Sequence, residues 1–414
     1  MSRRGRVLGG RYLVLSLVVL AFAAVATPIT AQQPPIKIGV AGDLSGAAAS
    51  IGQAWADAIK MGADEINASG GILGRKVALS IRDTEFKVDV GIREAKDLVL
   101  REKVNFLLGG ISSGVSLATS TSVSKEYKVI QIASVANTHR QTVELFQRYF
   151  FQVVPNTFME GRAAAQVAAK QQAWKNYYTI GYDYEFGRMQ AGAFVETIKK
   201  LRPDVKIVGQ HWPPVGETDY TPYITSILAA KPDVVYSNLF EAGLGAFVKQ
   251  ALPYGFFQKV KFVSFADVSS MMAVPEMPEG ILGYTRGEFY CENLPELKKF
   301  TEAFHARYKY YPVSYAVMGY DSLFVLKKAI EQAKSIETDA VIKALEGMTY
   351  DSLRGKFTIR ASDHQADVPE YVGWTMKDPK YPFVVLKDIV KVPGSQIMLT
   401  EDEVKQMRAA ATKK

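Results

Sequence analysis

The chain has 414 residues and one cysteine, and 48% of its residues are hydrophobic while 22% are charged. This composition excludes a disordered protein and an intramolecular disulfide, and the length allows two or three domains with large cores. The formal charge of +8 falls to +4 without the four arginines near the N-terminus, which excludes a strongly basic surface for nucleic acid.

Residues 1–31 have the pattern of a secretory signal peptide. An arginine-rich start precedes the apolar run Tyr12 to Ala26 and the small-residue site at Ile29-Thr30-Ala31, so cleavage is expected near Ala31. The run is shorter than the roughly 20 residues that span a bilayer. Cys291 lies far from this site, so we expect no lipid anchor and a soluble periplasmic or extracellular product. Because no histidine is nearby in sequence, we expect Cys291 to be a half-buried structural thiol.

Strands and helices alternate in the first third of the mature chain. Short apolar runs begin at Ile36, Val77, Leu107 and Ile130, and amphipathic segments at 53–67, 88–102 and 117–128 lie between them. This order predicts a parallel sheet with helices on both faces.

The alternation restarts after Val154-Pro155 and predicts a second open sheet. Its strands are expected at 176–182, 205–210, 233–238 and 261–265. A purely helical block follows at 294–308, 315–334 and 338–346, and we expect it to cover the first sheet. The strand-like segments 357–360, 371–376 and 383–391 are expected to complete the second lobe.

The chain is therefore expected to cross between two α/β lobes near Gln152, between Tyr284 and Phe289, and near Gly355. The fold class is two doubly wound open sheets joined by a multi-strand hinge, with a ligand cleft between them. The expected boundaries are 36–152 with 286–355 for lobe 1, 153–285 with 356–395 for lobe 2, and 396–414 for a C-terminal tail.

Two predicted strand ends carry small and hydroxyl residues. One is Ser112-Ser113 and the other is Val135-Ala136-Asn137. Because the carboxyl ends of parallel strands meet at one edge of a sheet, the two loops are expected to hold the anionic end of a small ligand on backbone N–H groups and hydroxyls.

Four segments carry a specific sequence pattern: the strand and loop 36–46, the string Asp64 to Arg75, the serine-rich loop 112–116 and Tyr184 to Arg188. Together they resemble the periplasmic solute-binding proteins of branched-chain amino acid and related ABC importers. The resemblance covers nearly the whole mature chain. It implies the type I periplasmic-binding fold, a small-molecule solute, and an ABC permease in the membrane as partner.

The resemblance also implies roles for the two loops. In amino-acid-binding members, a serine of the first loop and a run of small residues with threonine in the second hold the ligand carboxylate. These positions fall on Ser113 and on Val135, Ala136 and Asn137, with Ser112 beside them. Ser113 could instead be only the N-cap of the following helix, and Asn137 could be a turn residue.

The family uses an acid of the second lobe for the ligand's ammonium group, and here Ala266 falls on that position. Asp267 and Glu241 are the alternative acids, although each could simply stabilise the first turn of a helix. Tyr184, Phe186 and Phe240 are expected to wall the ligand's side chain. An amino acid and an aromatic or aliphatic acid therefore both remain candidates.

We expect passive solute capture, with no cofactor, no metal site, no nucleic acid partner and a monomeric state. A ligand-sensing receptor of the same fold is the alternative. A cleft enzyme is less favoured because the four histidines are scattered and only His139 lies close to a predicted loop.

Overall fold

The computed structural model describes residues 33–274 and 276–413. The expected signal peptide and its cleavage site lie outside these residues. Within them, the strands are β1 Ile36–Gly42, β2 Val77–Asp83, β3 Phe106–Gly109, β4 Ile130–Ala133, β5 Phe150–Gln152, β6 Asn176–Ile180, β7 Lys206–His211, β8 Val234–Ser237, β9 Lys261–Phe265, β10 Leu282–Thr285, β11 Thr349–Ser352, β12 Gly355–Thr358, β13 Glu370–Met376 and β14 Val385–Val392.

The helices of the same residues alternate with these strands in the first two thirds of the chain. They are α1 Ala49–Ala68, α2 Val88–Leu100, α3 Ser113–Thr119, α4 Lys125–Tyr127, α5 Thr157–Ala168, α6 Glu185–Leu201, α7 Thr221–Ala230, α8 Glu241–Ala251, α9 Phe256–Lys259, α10 Val268–Ala273, α11 Pro295–Tyr308, α12 Ser314–Ala333, α13 Thr338–Leu345, α14 Gly394–Ile397 and α15 Glu401–Ala411.

The first sheet has the order β2-β1-β3-β4-β5, and all its strands run parallel. Its central strands β3 and β4 are buried along their whole length, as expected for a sheet covered on both faces. A π-helical turn at Ser120–Ser124 joins α3 to α4, so the helix predicted at 117–128 begins earlier, at Ser113. The carboxyl ends of β1, β3 and β4 meet at one edge.

The second sheet has the order β14-β13-β10-β9-β8-β6-β7. The strands from β10 to β7 are parallel, while β13 and β14 are antiparallel additions. The expected α/β architecture of two open sheets is therefore confirmed. The segments predicted at 371–376 and 383–391 do complete this sheet.

The helical block lies against the first sheet, because α12 packs along α1 and reaches β4. Gly319 makes this approach possible: a Cβ added there would lie 2.5 Å from the carbonyl oxygen of Trp55. Trp55 is itself fully buried and donates from its indole N–H to the hydroxyl of Ser134 (2.9 Å). The packed pair of α1 and α12 thus connects the helical block to the loop after β4.

One predicted strand belongs elsewhere. The segment predicted at 357–360 is found as β12, but it pairs with β11 in a two-stranded hairpin instead of joining the second sheet. The strand signal was correct for the backbone conformation, but a periodic pattern does not identify the partner strand. The chain then forms a bridge between Gln365 and Gln152 before it enters β13.

The residues expected to form a C-terminal tail are helical. A capping box at Thr400 and Glu403 begins α15, and Val404 is buried against Phe158 of α5. Arg408 donates from Nε to the carbonyl oxygen of Val143 (3.0 Å). The last helix therefore contacts α5, which follows the first crossing, and the segment after β4, which precedes it.

Candidate ligand-binding site between the lobes

A buried carboxylate anchors the loop after β3. Asp43 accepts hydrogen bonds from the backbone N–H groups of Ile111 (2.6 Å) and Ser112 (2.8 Å) and from the hydroxyl of Thr84. Burial raises the pKa of Asp43, although these bonds favour its ionised form. Asp43 therefore engages two of the backbone donors of the predicted binding loop, and the role of Ser112 as a ligand contact stays a prediction.

The two adjacent serines have different roles. Ser112 is the N-cap of α3, and its hydroxyl oxygen accepts from the N–H of Val115 (3.4 Å). Ser113 is not the cap: its hydroxyl oxygen accepts from the backbone N–H of Asn137 (3.2 Å). The structure thus brings together the two loops that the sequence predicted to meet, and Ser113 is free of the competing role as N-cap.

The second loop is fixed through its backbone and one side chain. The N–H of Ala136 donates to the carbonyl oxygen of Gly110 (3.1 Å). The side-chain amide of Asn137 donates to the carbonyl oxygen of Pro155 (2.9 Å) and to Glu160 Oε2 (2.8 Å). Asn137 Oδ1 is buried and has no hydrogen-bond partner among the described residues. Asn137 therefore presents an unpaired acceptor and not a donor.

A buried ion pair lies beside Asn137. Arg286, in the crossing after β10, donates from Nε to Glu160 Oε1 of α5 (2.5 Å), and the two residues are 3% and 0% exposed. Arg286 Nη1 also donates to the carbonyl oxygen of Val135 in the first lobe (3.0 Å). Val135, predicted as a ligand contact, therefore provides its backbone oxygen to this arginine. The guanidinium joins the two lobes at the point where the loops meet.

A small cavity of about 20 Å³ lies between the lobes. Its lining is mostly apolar and aromatic, and consists of Ile51, Ile111, Asn137, Tyr184, Phe186, Phe240, Phe265, Arg286 and Tyr315. The Arg286 guanidinium carbon lies 5.3 Å from the Phe265 ring centre and 5.7 Å from that of Phe186. The larger surface depressions, of about 720, 490 and 660 Å³, lie away from this cleft.

The three predicted aromatic residues come together here. The rings of Tyr184 and Phe186 are 6.0 Å apart, and those of Phe186 and Phe240 are also 6.0 Å apart. They come from two neighbouring strand ends, since β6 and β8 pair directly. Tyr184 also contacts the first lobe, where the Phe86 ring lies 5.8 Å away.

The two candidate acids are engaged by serines. Asp267 is the N-cap of α10, and its Oδ1 accepts from the N–H of Ser270 (3.0 Å). Glu241 accepts from the hydroxyls of Ser269 and, across the cleft, Ser50. Among the described residues, the side chains that line the cavity include neither Asp267 nor Glu241. Both are near the site, yet neither faces the cavity.

Glu241 should make folding stability depend on pH. Burial and then the charge of Asp267 raise its pKa from the ordinary value of 4.5 to about 7. The folded chain therefore binds this proton more tightly than the unfolded chain, and the stabilisation present below pH 4.5 is lost as pH rises through 7. In melting experiments from pH 4.5 to 8, Glu241→Gln should show a weaker fall in stability than the wild type.

A residual slope is expected in that variant, because burial also raises the pKa of Glu288, to about 8. Exposed Glu296 offers a matched control, and Glu296→Gln should keep the wild-type slope. An unchanged slope in Glu241→Gln would contradict the assignment of the titration to Glu241.

Further contacts hold the lobes together at the cleft. Glu185, at the start of α6, accepts from the Thr138 hydroxyl (2.7 Å) and from Arg140 Nη1 (3.1 Å). With the Ser50–Glu241 contact, these bonds connect the start of α1 and the loop after β4 to helix starts of the second lobe. The structure is therefore that of a closed cleft.

Five lining residues were not among the predicted site residues. Four of them lie in or beside predicted elements whose apolar patterns do not show which side faces the cleft, namely Ile51, Ile111, Phe265 and Tyr315. Arg286 had a usable signal, because a charged residue between the apolar strand β10 and Gly287 falls within a predicted crossing. Its partner Glu160 lies 126 positions earlier in the chain, so no local pattern connects the two.

The remaining reactive groups take structural positions. Burial lowers the pKa of His139 to about 4, so its imidazole is neutral, and Nδ1 lies 2.8 Å from the Thr157 hydroxyl. Cys291 is a free, partly buried thiol whose pKa burial raises. Over the described ranges, no group of three or more His, Cys, Asp or Glu side chains is arranged to hold a metal. The helices of the same ranges include none long and apolar enough to cross a membrane.

Comparison with known proteins identifies the family. The family model of periplasmic binding proteins matches residues 35–374. The Leu/Ile/Val-binding protein homolog 4 of Brucella melitensis is 23% identical over 379 residues, which cover 86% of this chain and 87% of that protein.

Solved structures share the fold. A periplasmic binding protein from Burkholderia mallei has a TM-score of 0.82 at 21% identity, covering 89% of this chain and 97% of that one. A solute-binding protein of an ABC transporter from Rhodopseudomonas palustris, in complex with 3,4-dihydroxybenzoic acid, has a TM-score of 0.78 at 22% identity, covering 87% and 98%.

The resemblance found in the sequence is thus confirmed over most of the chain, and the family implies the expected periplasmic location. The family and its neighbours are solute-binding proteins and not enzymes. The chain belongs to the periplasmic binding protein family.

Proposed function

We propose that the protein captures a small carboxylate-bearing solute between its lobes and delivers it to an ABC permease. The observation that carries this proposal is the position of Arg286, a buried guanidinium in the lining of the interlobe cavity. The hydroxyl of Ser113 accepts from the N–H of Asn137, which also lines this cavity. A hydrogen bond to a charged group contributes roughly 1.5–3 kcal/mol, so such a site favours an anion.

Closure would exclude water from the bound solute. The contacts of Ser50 with Glu241 and of Thr138 with Glu185 form only when the lobes meet, and the three crossings between the lobes allow them to part. The cavity of about 20 Å³ has room for about one water molecule. A solute therefore enters with the lobes apart, and the aromatic side chains must move to accommodate it.

The proposal includes the parts of the system outside this chain. The signal peptide is cleaved near Ala31, and the mature protein acts as a monomer with the permease as its partner. Its lobes comprise residues 36–152 with 286–355 and residues 153–285 with 356–395. The β11–β12 hairpin supports moving the last boundary to a point between Thr358 and Glu370.

A thermal-shift screen tests the proposal. The purified protein is heated with branched-chain and other amino acids, aliphatic and aromatic carboxylates, amides and urea. A ligand at a hundred times its dissociation constant stabilises by about 2.7 kcal/mol, which is readily measured. Stabilisation by a carboxylate supports the proposal, and stabilisation by none of them contradicts it.

Ser113→Ala should weaken binding of the solute found in that screen by about fivefold. The variant loses the hydroxyl that accepts from the Asn137 N–H, and a neutral hydrogen bond contributes ~1 kcal/mol. Titration calorimetry measures the affinity. Ser124→Ala is the matched control, because Ser124 is equally buried but donates to Gln131, away from the cavity, so its affinity should be unchanged. Equal affinities of all three proteins would contradict a binding role for Ser113.

A further inference from the structure

We propose that the solute is an aromatic carboxylate with a ring hydroxyl, and not an α-amino acid, and that Arg286 and Asn137 select it. This inference rests on the proposed function and names the substrate class of the same cleft. It follows from the chemistry of the cavity lining.

The walls of the cavity suit a flat ring. Seven of the nine lining residues are aliphatic or aromatic, and five of these carry rings. Phe186 and Phe240 meet at an angle of 77°, and the Tyr184 and Phe186 planes are tilted by 43°. Aromatic side chains pack favourably against another aromatic ring, so this composition suits a ring once the side chains have moved apart to admit it.

Among the described residues that line the cavity, Arg286 is the only one with a charged side chain. Its Nε donates to Glu160 and its Nη1 to the carbonyl oxygen of Val135. Across residues 33–274 and 276–413, its Nη2 makes no hydrogen bond. The donors of Nη2 are therefore available to a ligand carboxylate.

Asn137 places a second requirement on the ligand, a group that donates a hydrogen bond. The orientation of its amide is fixed, since Nδ2 donates to two acceptors, the Pro155 carbonyl and Glu160 Oε2. Oδ1 is buried without a partner in the described part of the chain. A carboxylate oxygen at Oδ1 would be repelled, whereas a hydroxyl would donate to it. A ligand that carries both a carboxylate and a hydroxyl can thus satisfy both residues.

An α-amino acid fits this lining poorly. Its ammonium group needs a carboxylate, but Glu241 and Asp267 already accept from serine hydroxyls and lie outside the cavity lining as described above. The charge that does face the cavity is the positive Arg286, which repels an ammonium group. The second lobe therefore supplies a cation where an amino-acid receptor needs an anion.

Glu160 acts as the positioning residue. One carboxylate oxygen holds Arg286 Nε and the other holds Asn137 Nδ2, so a single buried side chain orients both selecting groups. Gln190 Nε2 supports Glu160 from α6 (2.7 Å). Any ligand that binds Arg286 is thereby close to the acceptor of Asn137.

Titration calorimetry of the full chain with benzoate, its three monohydroxylated isomers and leucine tests the inference. We expect at least one hydroxybenzoate to bind tenfold or more tightly than benzoate, and leucine to bind more weakly than either. Asn137→Ala should bring the ratio of these two affinities to within about twofold. Arg286→Lys should weaken binding of every aromatic acid while the hydroxyl preference persists. If Asn137→Ala does not fold, Asn137→Ser replaces it in this comparison.

The outcomes separate this inference from the proposed function. Tighter binding of leucine than of all aromatic acids overturns the inference while a carboxylate solute remains. Equal affinities for benzoate and all three isomers overturn the hydroxyl requirement. A hydroxyl preference unchanged in both Asn137 variants overturns the role of Asn137. Failure of every carboxylate, amino acids included, overturns the proposed function itself.

Discussion

Arg286→Met should destabilise the protein by about 3–5 kcal/mol. The variant removes the partner of Glu160, which is 0% exposed and would keep a buried charge without compensation. It also removes the hydrogen bond to the carbonyl oxygen of Val135, which connects the lobes. Urea unfolding followed by circular dichroism measures the free energy of unfolding.

Two comparisons show whether burial is the cause. The double variant Arg286→Met with Glu160→Gln should recover much of the loss, since neither charge then remains. Arg101→Met breaks the ion pair with Asp97 on the surface, where Arg101 is 79% exposed, and should change stability by less than about 1 kcal/mol. Equal effects of the two single variants would contradict the argument from burial.

Asp43→Ala should destabilise the protein by at least ~2 kcal/mol and weaken solute binding. It leaves the buried N–H groups of Ile111 and Ser112 without their acceptor, and each unpaired buried group costs about 1–3 kcal/mol. The same loop carries Ser113, so its loss of order also disturbs the contact with Asn137. Chemical unfolding and calorimetry measure the two effects separately.

Asp83 offers a matched comparison for that variant. Its Oδ1 likewise accepts from backbone N–H groups, those of Leu44 (2.9 Å) and Glu85 (2.8 Å), but the residue is only half-buried. Water can replace its oxygen, so Asp83→Ala should cost less than Asp43→Ala. The reverse order of stabilities would show that the buried loop is not held by Asp43.

Much of the architecture could be predicted because it depends on local patterns. The apolar run Ile36–Gly42 and the helix that ends before Gly70 and Gly71 are recognisable without any contact information. The meeting of Ser113 with Asn137 could also be predicted, since the strands before them were both expected in one parallel sheet. These features follow from periodicity and from the direction of the strands.

Other features depend on contacts between distant residues. No pattern shows that Asp43 uses the backbone donors of Ile111, or that Glu160 holds both Arg286 and Asn137. The pairing of β12 is local, by contrast, because it forms a hairpin with β11 directly before it, but no strand was predicted at 349–352. The C-terminal helix did carry a local signal, the capping box of Thr400 and Glu403. The prediction of a tail at 396–414 did not take this signal into account.

The filled cleft affects how tightly any solute can bind. Because Tyr184, Phe186 and Phe240 occupy the space between the lobes, a solute competes with the protein's own side chains. Its apparent dissociation constant equals the intrinsic one divided by the fraction of molecules in a receptive conformation. A receptive population of about 1% would weaken apparent binding about a hundredfold. Smaller residues at these positions would raise the receptive fraction, but they would also remove the rings that pack against the solute.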